Sequence, residues 1–213
     1  MRMSVPTPTA EPLPFRTDND QPAGSNPHPK RPAPSLSSEA IARFDALLHE
    51  LNPDAVRVDI NRMQHLLDWL LMLPDATAHD VLDRRLRRID ELRAMLGDPD
   101  WDVDEAMRAR LVKLFVYIDR DDDLIADHQP LVGLLDDVLL IELAWPAFSV
   151  EAEEYRDFCA YRNDEQPAGS GDERRAAWTR DRLVELALWQ HKLSVHNSHY
   201  VYRGQPEGLF RVG

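Results

Sequence analysis

The stretch from Leu131 to Ala144, LVGLLDDVLLIELA, constrains the fold more than any other part of the chain. Its apolar residues fall on every side of a helical wheel, so a helix here cannot rest on one face and leave the other in water. It must be enclosed by other elements or by lipid. Charge argues against lipid, because residues 131–150 contain Asp136, Asp137 and Glu142, and ionised groups at bilayer depth are costly. The sequence therefore predicts a central buried helix over about residues 129–145, with Pro130 tolerated only in its first turn.

The elements that would enclose it have helical periodicity. Ile41, Phe44, Leu47, Leu48 and Leu51 recur at three- and four-residue steps behind a serine pair suited to capping, and Asn52 and Pro53 close this first helix. A second, roughly residues 57–73, carries Ile60, Met63, Leu66, Leu67, Leu70 and Leu71 before Pro74 stops it. Asp75 or Thr77 is suited to cap a third, striped by Leu82, Leu86, Ile89, Leu92 and Leu96 and ended at Gly97. Asp98, Asp100, Asp102 and Asp104 crowd the turn before a fourth, about residues 103–118. A sixth lies near 149–162, and after the linker QPAGSGD, Asp172 is placed to cap a long seventh reaching about 195. The expected fold is all-α, six to seven helices packed around the central one, in a domain spanning residues 39–195. No internal repeat is visible.

Residues 1–38 hold nine of the sixteen prolines and few large apolar groups, which predicts a disordered arm. Residues 196–213 alternate weakly and read as a small strand or a docked tail. The arm carries four basic and three acidic residues, so of the net charge of -13 it contributes +1 and the remainder carries -14. That balance argues against a nucleic-acid binder, which needs clustered Lys and Arg, and favours a basic protein partner. With Cys159 as the single cysteine there is no internal disulfide, in keeping with a reducing cytoplasm. No secretory leader or membrane span is expected from the apolar runs.

Within this frame, DLIADHQPLVGLLDDVLL (residues 123–140) sets aspartates among Leu, Ile and Val. The stretch resembles the signature of the YkvA-like family, a bacterial helical domain of unknown function whose pattern runs roughly Pro-x-Asp-Leu-Ile-Pro-Asp-x-x-Pro-x-x-Gly-x-x-Asp-Asp. The match falls on Asp123, Leu124, Ile125, Asp127, Pro130, Gly133, Asp136 and Asp137, with Tyr117 upstream. Ala126 and Asp121 stand where proline is common, and the resemblance covers about residues 106–145. It implies a helical hairpin and no established activity. Family members often carry a membrane segment, for which this chain offers no run of sufficient length.

The residues themselves allow two readings. Asp123 and Asp127 are four apart and share a helical face, while Asp136 and Asp137 lie about two turns into the next helix, so a hairpin would bring the pairs together. Converging carboxylates suit a hard divalent cation such as Mg²⁺ or Ca²⁺. They equally suit a structural role, bonding backbone amides at a turn and a helix start. An EF-hand fails, since Asp119, Asp121 and Asp123 are followed by Leu124 at loop position 6 and Pro130 at position 12.

Other candidates read as structure. His191, His196 and His199 are five and three apart, and a zinc site on them is set against surface or tail positions, because only the second pair could share a helical face and the chain is expected to leave its helix there. His79 with Asp83, and His65 with Asp68 or Trp69, have hydrogen-bond spacing, and Cys159 lies among Tyr155, Phe158 and Tyr161. Arg84, Arg85, Arg87, Arg88 and Arg93 are expected on a solvated helix, paired with Asp80, Asp83, Asp90 and Glu91. The five tryptophans suggest core anchors and one interface. Together these features point to a non-enzymatic interaction or regulatory protein, with an antitoxin or immunity-type inhibitor as one form. A cation-dependent hydrolase or binding protein, and an exported effector using the arm as a signal, are the alternatives.

Overall fold

Leu135, Val138, Leu139, Leu140, Ile141 and Ala144 cover all sides of one helix, and every one of them is buried. The computed structural model describes residues 12–15, 36–120, 124–126 and 129–201, with side chains as far as His196. Among these the elements are α1 (Ser38–Leu51), α2 (Ile60–Met72), α3 (Asp75–Gly97), α4 (Glu105–Ile118), α5 (Leu135–Ala144), a 3-10 turn (Trp145–Ala147), α6 (Ser149–Glu165) and α7 (Gly171–Val201). The chain divides into two compact units, one ending at Arg156 and one beginning at Asp157.

In the first unit α5 is the hub, packed on α3 and α1, with α4 against both. The enclosing helices bury one stripe each: Ile41, Phe44, Leu48 and Leu51 on α1, and Leu82, Ile89, Leu92 and Met95 on α3. Short polar side chains start them. Ser37 accepts from the Ala40 amide, Asp59 from those of Asn61 and Arg62, and Asp104 from that of Met107. Asn52, which ends α1, also donates its side-chain amide to the Leu143 carbonyl at 2.8 Å, satisfying an acceptor near the end of α5. The aspartates before α4 divide their work, since Asp98 accepts from the Asp100 amide (2.9 Å) and the Tyr155 hydroxyl (3.0 Å) while Asp104 caps.

Several boundaries depart from the sequence reading, each for a local reason. The central helix begins at Leu135, not near 129, because Leu131 takes a left-handed backbone (φ 74) that reverses the screw sense. The preceding residues form a turn, in which the Gly133 amide donates to the Gln129 carbonyl and Leu135 to Val132, both at 3.0 Å. Pro130 is therefore exposed in a turn, outside the helix. Neither Asp75 nor Thr77 caps α3, whose N-cap is Pro74. Of the proline-rich arm, four residues are described up to Phe15, and there Leu13 and Phe15 are buried, with the Arg62 guanidinium 5.9 Å from the Phe15 ring centroid.

In the second unit, the Phe158 ring meets Trp178 edge-on at 5.9 Å, and the Trp178 indole donates to Asp157 at 2.7 Å. The start of α7 is a capping box built on Ser170, not a cap by Asp172. The Glu173 carboxylate accepts from the Ser170 amide at 2.7 Å, and the Ser170 hydroxyl accepts from the Glu173 amide at 3.4 Å. Asp172 instead pairs with Arg175 in the first turn. The helix then continues to Val201, so the histidines expected at its frayed end belong to it.

Candidate functional site

Asp136 stands in the first turn of α5 with no exposed surface. Its carboxylate accepts from the Tyr117 hydroxyl at 2.9 Å and from the Ile125 amide at 3.2 Å. Tyr117 comes from the last turn of α4 and is held by an edge-on contact with Phe44 of α1, 5.7 Å between centroids. One buried acid therefore joins α4, the segment after it and α5. The amide ends of α5 add a favourable field for a negative group at this position. Asp137 beside it is also buried.

The other motif positions fall as follows. Leu124 and Ile125 are buried, as is Gly133. Asp136 and Asp137 lie in the first turn of α5, not two turns in as the spacing had suggested, because the left-handed Leu131 delays the helix. Asp123 and Asp127 lie outside the described residues. Among the described residues there is no group of three or more His, Cys, Asp or Glu side chains placed to hold a metal ion. Beside Tyr117, an open groove of about 410 Å³ between α1 and α4 is lined in part by Arg43, Phe44, Val116 and Leu124.

The arginine run on α3 corrects a second expectation. Arg84 does pair with Asp80 on the helix surface. Arg85, however, is buried, and it reaches across to Glu142 of α5 at 3.2 Å while also donating to the Val81 carbonyl at 3.0 Å. Arg88 meets the same Glu142 oxygen at 2.8 Å and lies 4.8 Å from the centroid of Trp145. Burial depresses the Arg85 pKa, and the Glu142 charge opposes that shift. Glu142, the one charged residue of α5 beyond its first turn, together with two arginines three apart on α3, was the available signal for this link.

The remaining candidates are placed plainly. His79 Nδ1 is 2.7 Å from the Asp75 carbonyl, and Asp68 accepts from Gln64 at 3.2 Å, so neither expected His–Asp pairing is the bond observed. His191 and His196 are exposed, and the side chain of His199 is outside the described residues. Cys159 is half-buried, with an Arg162 nitrogen 3.8 Å from its sulfur. Trp101 donates to Glu151 at 2.9 Å and Trp178 to Asp157, whereas Trp189 is 49% exposed.

That exposure belongs to a larger feature. From Asp181 to His196 every side chain of α7 is exposed, and Leu183, Leu186, Leu188, Trp189 and Leu193 are each 40–60% accessible. Exposed apolar residues scattered singly are ordinary, whereas several set along one helix make the kind of surface that takes a partner. No helix among the described residues is long and apolar enough to cross a membrane. No family model matches the chain, and comparison with curated proteins and with solved structures likewise finds no match.

Proposed function

We propose that the chain is a non-enzymatic protein-interaction or regulatory module, YkvA-like in its hairpin, that docks through α7. The observation that carries this reading is the run of uncovered apolar side chains on α7, with Leu183, Leu186, Leu188 and Trp189 presented to solvent. The acidic motif supports it from the other side: one oxygen of Asp136 accepts from Tyr117 of α4 and from the Ile125 amide, which gives this carboxylate a part in holding α4 and α5 together. The formal charge of -13 would in addition speed encounter with a basic partner on the acidic residues outside α7, and an antitoxin or immunity-type inhibitor has that profile.

The test compares tagged full-length wild type with Leu186→Glu/Trp189→Glu, expressed in the native host and purified at moderate salt. The reading predicts that a protein held at a fixed ratio by the wild type, whether another chain or a second copy of this one, is lost from the variant while helicity is retained. An identical set of co-purifying proteins and an identical native mass for both forms would contradict it.

A further inference from the structure

We infer that α7 pairs with α7 of a second copy, antiparallel, about a two-fold axis near residues 188 and 189. The inference rests on the reading of α7 as the docking element and names its occupant. Leu186, Trp189 and Leu193 follow one another at three- and four-residue steps and form one stripe, 53, 49 and 40% exposed. This is the spacing of a helix–helix seam.

Charge selects the partner and the direction. Glu185 and Lys192 are seven residues apart, so both border the stripe on the same flank, and both are exposed. In an antiparallel pair like flanks face each other, so Glu185 meets Lys192 of the second copy and the two-fold repeats the contact. A parallel pair would set Glu185 against Gln190 and forfeit both ion pairs. The helix is also locally balanced. Residues 171–201 carry five basic and four acidic side chains, a net of +1, so the rest of the chain carries -13 - 1 = -14. The acidic excess of the chain therefore does not lie on α7 itself, and two copies of this helix meet without opposing it along the seam.

Sedimentation equilibrium on the full chain across the micromolar range tests this. The expected result is twice the chain mass, reduced to the single mass by Leu186→Glu/Leu193→Glu. Glu185→Lys and Lys192→Glu should each raise the dissociation constant by roughly tenfold, and the double variant Glu185→Lys/Lys192→Glu should restore it. A monomeric wild type would overturn the inference, as would a dimer that ignores these charge reversals or is not rescued by the swap. A monomer whose co-purifying partner still depends on Leu186 and Trp189 sinks self-pairing alone. A monomer with no such dependence sinks the docking reading as well.

Discussion

Replacing Tyr117 by Phe removes one donor from a carboxylate with no exposed surface, and the Phe44 contact stays intact. Leaving a buried acceptor short of a donor costs about 1–3 kcal/mol, so Tyr117→Phe should lower the urea midpoint with its m-value unchanged. An unaltered midpoint would remove Tyr117 from the frame. Glu151 gives a signed pH test. Burial pushes its carboxyl up, the Trp101 hydrogen bond opposes this, and the Glu154 and Asp104 charges add to the rise. A folded pKa above the unfolded value means that stability is greatest below about 4.5 and is lost as pH rises through the folded pKa. Glu151→Gln keeps an oxygen for the indole and drops the charge, so it should raise the melting temperature at pH 7 and change it less at pH 4. A lower melting temperature at pH 7 would contradict this. Asp45 runs the other way. Burial raises it, but the Val58 amide, Arg57 and His49 together hold it below 3.8, so its contribution is present above that pH and is lost as pH falls through the depressed value. The motif made Asp136 and Tyr117 legible in the sequence. Their bond was not, because it depends on where α5 begins, and that is set by the backbone at Leu131.

The link from α3 to α5 joins the buried Arg85 and the half-buried Arg88 to one half-buried carboxylate, Glu142, and stranding a buried charge by removing its partner costs about 3–5 kcal/mol. Glu142→Ala should show a loss of that order in chemical unfolding. Arg85→Met with Glu142→Leu should recover part of it, since Arg85→Met removes the charge that loss of Glu142 strands. If the single and double variants were equally unstable, packing would be the cause. At α7, Gly169 has φ +105, and a Cβ there would collide with the Glu173 carboxylate. Gly169→Ala should therefore undo the capping box and raise amide exchange in the first turn of α7, with the first unit unaffected. Unchanged exchange would show that the helix start does not need the box. Helix existence was legible wherever a 3.6-residue stripe ran between proline or glycine stops. Two caps were misplaced, because Ser170 and Glu173 compete with the more conspicuous Asp172, and Pro74 occupies the position before Asp75.

Over the whole chain, the enclosed helix decided the fold class before any contact was known. A segment apolar on every side, too charged for lipid, leaves a helical bundle as the remaining solution. What the sequence could not tell was which apolar stripes are covered. Leu183 and Leu186 look, residue by residue, like Leu66 and Leu67, yet the first pair is exposed and the second fully buried. Covering is a property of neighbours, and the neighbours of α7 are not written in α7. The account as a whole assigns the acidic motif to the frame and the interaction to α7. A cation-dependent role for Asp123, Asp127, Asp136 and Asp137 is its direct competitor. The most direct measurement is a thermal melt of the full chain in chelator and in Mg²⁺, Mn²⁺, Ca²⁺ or Zn²⁺, for wild type and for Asp136→Asn. The account predicts one wild-type melting temperature in all conditions and a marked fall in the variant. A cation at 100 times its dissociation constant would instead add about 2.7 kcal/mol, roughly 5–11 °C for a chain of this size. A rise of that order, abolished by Asp136→Asn, would contradict the account and make the motif a binding site.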